Sequence, residues 1–178
     1  MKKIVFVLIA LIAVTVVIVA TPKTQTNADF LRIHIRADSN NPEDQSVKYV
    51  VKNAVVDYLS PYLCQAYSKR QAMKIVQEQL HNIKKVCDAT LAEKGKTYRA
   101  NVKLCEEQFP DRCYDGVTLQ AGVYDALIIE LGSGSGNNWW CVVYPPLCFV
   151  EGASNGSSNV VYKSKLLEII DEWKSKNK

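Results

Sequence analysis

"FLRIHIRADSNNPEDQSVKYVV", from Phe30 to Val51, carries two periodicities in succession, and they decide the fold class. Leu31, Ile33, Ile35 and Ala37 alternate with Arg32, His34 and Arg36, a period of two that marks a strand with one apolar and one polar face. Asn41 then has N-cap chemistry, Pro42 suits the first helical position, and Glu43 and Asp44 place acid in the first turn. Val47, Val50, Val51, Ala54, Val55, Tyr58 and Leu59 follow at spacings of three and four, so the period has changed to that of an amphipathic helix. Ser60-Pro61 ends or kinks it.

Downstream, Ser68 suits the cap of a second helix with Met73, Val76, Leu80, Ile83 and Cys87 on its apolar stripe and Gly95 beyond its end. Two helices joined so briefly form a hairpin. "TYRANVKL" alternates through Tyr98, Ala100, Val102 and Leu104, "FPDRCYDG" has turn composition, and "VYDALIIEL" is a second long strand. A glycine-serine loop then leads to a short strand through "WWCVVY". The order β-α-α-β-β-β-α predicts an α+β fold: a mainly antiparallel sheet with the helical hairpin and a C-terminal helix packed on it. The globular domain is expected over 29–151, a flexible linker over 152–160, and the C-terminal helix, with Leu166, Ile170 and Trp173 on one face, over 161–178.

Residues 1–28 are of a different kind. Lys2 and Lys3 precede an apolar run from Ile4 to Ala20, closed by Thr21, Pro22 and Lys23. Such a segment directs the following chain across a membrane, as a cleaved signal peptide or as a retained anchor with a short linker. The chain has 22 basic and 18 acidic side chains, but beyond residue 28 the balance is 19 against 18. A near-neutral domain does not have the charge of a phosphate-backbone binder, so no nucleic acid partner is expected.

Six cysteines and two histidines, with no C-x-x-C, disfavour a structural metal site. Cys141 and Cys148 enclose "VVYPPL", and a bridge between them closes a loop worth roughly 2.5 kcal/mol of chain entropy. Pro145-Pro146 stiffens that turn, with a cis bond an option. Cys105 and Cys113 flank Phe109-Pro110, where a bridge across a hairpin end is feasible. Cys64 and Cys87 fall at opposite ends of the helical hairpin and read as small buried thiols. Gly132, Gly134 and Gly136 form G-x-G-x-G without a following helix or lysine, which reads as a flexible hairpin loop and not a phosphate cradle. Trp139 and Trp140, adjacent in a strand, must point to opposite faces. His34, between two arginines, and His81, on a polar helix face, read as surface histidines, and Glu106, Glu107 and Asp111 as solvated charge. No nucleophile, base and orienter assemble, so neither an active site nor a cofactor is expected.

Three blocks in order resemble the stage II sporulation protein R family: "LRIHIRADSNNPEDQSVKYVVKNAV", "FPDRCYDGVTLQAGVYDAL" and "GSGSGNNWWCVVYPPLCFV". Gln120, Val123, Arg36 and the serines of the glycine loop depart from the family pattern, and Cys113 has no expected counterpart in it. The resemblance implies a signal without chemistry. Such a protein is made in the forespore and exported into the space between forespore and mother cell. There it activates a membrane-embedded aspartic protease, stage II sporulation protein GA, which processes the pro-form of sigma factor E. The expected contact face includes Asn138, Trp139, Trp140, Pro145 and Pro146. An exported cysteine-dependent hydrolase and a peptidoglycan-binding module are the alternatives.

Overall fold

The computed structural model describes residues 27–114 and 117–147. Residues 1–26 of the expected export segment, the linker expected over 152–160 and the C-terminal helix expected over 161–178 lie outside them. After a 3-10 turn (Asn27–Asp29) come β1 (Leu31–Arg36), α1 (Pro42–Leu63), α2 (Lys69–Glu93), β2 (Ala100–Phe109), β3 (Arg112–Tyr114), β4 (Val117–Leu119), β5 (Gly122–Leu131) and β6 (Asn138–Tyr144). The fold is α+β, as the periodicities predict.

The helices begin and end where their chemistry allows. Pro42 opens α1, although the Asn41 side chain makes no cap bond; Ser39 does the local work, accepting from the Asn41 N–H and donating to Asp44. Ser68 caps α2 by accepting from the Gln71 N–H at 3.2 Å. The Gly95 and Lys96 N–H groups close the far end of α2 on the carbonyls of Ala92 and Leu91. Pro61 does not stop α1, which runs on to Leu63. The proline sits in the last turn, where only one ladder bond is lost.

Four strands form one sheet in the order β2-β5-β1-β6. β1 lies parallel to β5 (Leu31 opposite Asp125) and antiparallel to β6 (His34 opposite Trp140), while β2 and β5 are antiparallel. On one face Leu31, Ile33, Ile35, Leu127, Ile129 and Leu131 pack against α1 and α2. Burying each such side chain contributes about 1.5–3 kcal/mol. On α1 this apolar face also takes in Lys48 and Lys52, both buried.

The opposite face of the sheet is covered too. Residues expected as a simple turn form the β3–β4 hairpin, a separate two-stranded sheet. Its Leu119 packs with Phe30, Phe109, Tyr124, Ala126, Ile128 and Val142. β1 is therefore central and buried on both faces, not half-solvated: Arg32 is 0% and His34 4% exposed. Alternation reported the chemistry of β1 correctly and its solvation incorrectly.

The glycine loop is pinned. The Ser133 N–H donates to the Asp38 carboxylate at 2.6 Å, the Gly136 N–H to the Ala37 carbonyl at 2.8 Å, and the Asn137 N–H to the Asn40 side chain at 2.7 Å. Gly132 adopts φ +57°, and a Cβ on Gly136 would lie 2.3 Å from the Ser39 carbonyl oxygen. Glycine is used here for close approach of two backbones. Because an acid, a carbonyl and an amide oxygen already occupy these donors, the loop is no anion cradle.

Candidate functional site

β6 carries the two tryptophans to opposite faces, as alternation requires. Trp139 joins the helical side, where the Lys52 ammonium sits 5.6 Å from its ring centroid. Neighbouring Lys48 donates to the Gln45 side chain at 2.8 Å and the Asn137 carbonyl at 3.0 Å, tying α1 to the start of β6. Burial lowers both lysines below the usual ammonium range, and Asp57 partly restores Lys52.

Trp140 faces the hairpin. His34, opposite it in the ladder, stacks on it at 5.2 Å between centroids, and the Arg112 guanidinium of β3 lies 4.0 Å from its centroid. Next along the same face, Arg32 lies 4.1 Å from the Phe109 centroid and 4.9 Å from that of Tyr124, and donates from Nη2 to the Tyr114 hydroxyl at 2.6 Å. Five strands (β1, β2, β3, β5 and β6) thus supply one layer of alternating cations and aromatic rings. Each such contact is worth about 0.5–2 kcal/mol, more when desolvated.

At the layer's rim the charge reverses. His34 Nδ1 lies 3.0 Å from Glu107, which also pairs with Arg36. Arg36 reaches Glu130 at 2.8 Å, and Asn101 and Lys103 bind the same carboxylate. Burial raises Glu130, but Asn101, Lys103 and Arg36 together hold it below its usual range. Since a carboxylate only accepts, His34 donates from Nδ1, and Nε2 carries the lone pair of the neutral ring. Burial lowers the His34 pKa; Asn138 and Glu107 oppose this, and Arg36 adds to it. Asn138 nevertheless completes no hydrogen bond to Nε2. His34 is thus a buried histidine, not a surface one, while His81 is exposed as expected.

The residues of the expected contact face divide by exposure. Asn138 is exposed, Trp139, Trp140 and Pro146 are half-buried, and Pro145, after a cis peptide bond, is buried. The most exposed large apolar side chains are elsewhere: Tyr49, Tyr62, Tyr67 and Val123. Cys105 and Cys113 are free thiols, so the bridge considered for them is not formed. The reason is strand parity. Arg112 and Tyr114 point at the sheet, so Cys113 between them points away, whereas Cys105 packs beneath the hairpin. Cys64 is free and exposed, against the expectation of burial; Cys87 is free and buried, with its thiol pushed up to about 12 by burial. Cys148 lies outside the described residues. Among the described residues no group of His, Cys, Asp or Glu is placed to hold a metal ion, and no helix is long and apolar enough to cross a membrane.

Sequence reasoning missed Arg32, Arg112 and Tyr114 as partners of Trp140 and His34. The one available signal was the density of Arg and aromatic residues in "LRIHIR", "FPDRCY" and "NWW", and nothing local says that these strands share a face.

The stage II sporulation protein R family model matches residues 27–154, which span every described element. Stage II sporulation protein R of Bacillus subtilis (strain 168) is 33% identical over 128 residues, covering 72% of this chain and 57% of the relative. The chain therefore spans little more than half the length of that relative. No solved structure matches it. With the family model covering the whole sheet, both helices and the hairpin, the chain belongs to the stage II sporulation protein R family, and its role lies in sporulation.

Proposed function

We propose that this chain is an exported signalling protein that activates the mother-cell membrane aspartic protease, stage II sporulation protein GA, and so triggers processing of the pro-form of sigma factor E. The observation that carries this reading is the family match across 27–154. Residues 1–28 serve as signal peptide or anchor and deliver the domain to the space between forespore and mother cell. Activation is a population shift, in which the ligand binds the active state of the protease better than the resting one. A 100-fold activation needs about 2.7 kcal/mol of differential binding. The chain itself contributes recognition and no catalysis. In support, Cys87 is held as a protonated thiol and His34 is committed to Glu107. Neither group serves a hydrolase.

The exposure pattern supports a narrower contact face. Asn138, the accessible edge of Trp139 and Pro146 touch the partner, Pro145 supports them from beneath, and Trp140, equally half-buried, turns to the hairpin face. Cys141 is disulfide-bonded while the other four described cysteines are free, which supports the expected closure of the Pro145-Pro146 turn.

Co-expression with protease and precursor in a heterologous cell tests this reading. Asn138→Lys and Trp139→Ala variants, with near-wild-type circular dichroism and confirmed export, are expected to lose most precursor processing. Wild-type processing by both would show that the face is wrongly placed.

A further inference from the structure

Four buried side-chain polar atoms among the described residues have no hydrogen-bond partner: Arg32 Nε, Arg32 Nη1, Arg112 Nε and His34 Nε2. All four belong to the one layer between the sheet and the β3–β4 hairpin. Arg32 is the decisive member. Its side chain is fully buried, its one hydrogen bond among the described residues goes to the Tyr114 hydroxyl, and it takes part in no ion pair among them. A guanidinium cannot shed its proton to escape burial, as a lysine or carboxyl can. A trapped water would satisfy its N–H groups but would leave its charge uncompensated. The faces of Phe109, Tyr124 and Tyr114 stabilise the cation without neutralising it.

The geometry points to a carboxylate-binding site under the β3–β4 hairpin, with Arg32 and Arg112 as the charged donors and the rings of Phe109, Tyr114 and Trp140 as its walls. Arg112 brings a second guanidinium to the same layer, flat on Trp140 and with Nε unpaired. One fully buried and one half-buried guanidinium suit a small planar monoanion, which takes paired N–H donors and presents its edges to the rings. The ligand is an acidic side chain or a chain terminus. Since Arg32 is closed to solvent, entry requires the hairpin to lift. The hairpin is suited to this: its two three-residue strands pair only with each other, and the Arg32–Tyr114 bond, the Arg112–Trp140 stack and the packing of Leu119 fasten it. This site stands apart from the signalling role proposed above and neither requires it nor supports it.

The test uses the full ¹⁵N-labelled chain in neutral detergent, titrated with sodium acetate against sodium chloride at equal ionic strength. The Arg32 Nε–Hε and Trp140 indole resonances are followed, assigned through Arg32→Lys and Trp140→Phe. Acetate is expected to shift both saturably and chloride not to. Arg112→Gln, a half-buried change that leaves the core intact, should weaken acetate binding about tenfold, the loss of one charge-assisted hydrogen bond. Tyr114→Phe, which releases the hairpin's fastening, should speed entry. N-acetylglycine and N-acetylaspartate amide then report whether a chain terminus or an acidic side chain fits better, and saturable binding of either supports the site. An Arg32 signal indifferent to acetate, an equal response to chloride, or unchanged affinity in Arg112→Gln overturns it.

Discussion

Gly136→Ala should be among the most damaging single-methyl additions to this domain. A Cβ at this position would lie 2.3 Å from the Ser39 carbonyl oxygen, 2.6 Å from its carbon and 2.9 Å from the Ala37 Cβ. The first two are backbone atoms and cannot rotate away, so the loop and the β1–α1 connection must part by roughly 1 Å. That movement breaks or strains three hydrogen bonds: Gly136 to Ala37, Ser133 to Asp38 and Asn137 to Asn40. At about 1 kcal/mol net each they set a ceiling near 3 kcal/mol, in line with the ~1–3 kcal/mol typical of overpacking. Gly95→Ala is the control. Its site has φ +70° but nothing within 4 Å, so only the left-handed backbone is penalised, at about 1 kcal/mol. Urea denaturation of both variants, followed by circular dichroism, should give a loss of about 2–3 kcal/mol for Gly136→Ala against about 1 for Gly95→Ala. A Gly136→Ala protein no less stable than Gly95→Ala would refute the docked loop and return it to a free linker.

Two further outcomes follow from the buried face and the thiols. Because the folded His34 pKa is lowered, the unfolded chain takes up that proton first. Stability is therefore complete above the ordinary value of 6.5 and declines as pH falls from there towards the folded pKa, by at most about 1.4 kcal/mol per pH unit. Denaturant midpoints between pH 7 and 5.5 should fall for the wild type and stay flat in His34→Gln; the lowered carboxylates Asp44, Asp88 and Glu130 act only at more acid pH. In native protein, iodoacetamide should modify exposed Cys64 and Cys113 promptly, Cys105 slowly, and Cys87 only after unfolding, read by peptide mass. Cys113 that reacts only after reduction would restore the bridge to Cys105.

What the sequence made legible was periodic. The β1 span, the start of α1 at Pro42, the Ser68 cap and the opposite facing of Trp139 and Trp140 depend on spacing within a few residues. What it hid depends on distant partners. Arg32 and His34 have the polarity of a solvated face, and they are buried because strands of three residues, too short to leave a pattern, fold back over them. Lys48 and Lys52 break the apolar stripe of α1, yet their stems can lie along it while the ammonium groups reach a carbonyl or a ring. Three glycines in five residues read as freedom, whereas Asp38 and Ser39, almost a hundred positions earlier, are what Gly132 and Gly136 approach.

The central position of β1 has a consequence for how such a chain must mature. Leu31 pairs with Asp125 and Tyr144, so the first strand made finds its neighbours only when nearly the whole domain has followed. Contacts so distant in sequence form late, because the intervening chain must close first. Until then Leu31, Ile33 and Ile35 form an apolar strand with both edges open, the kind of segment that aggregates. Arg32, His34 and Arg36 interrupt it at every second position. The same side chains that sit awkwardly in the finished core act as gatekeepers while the strand waits.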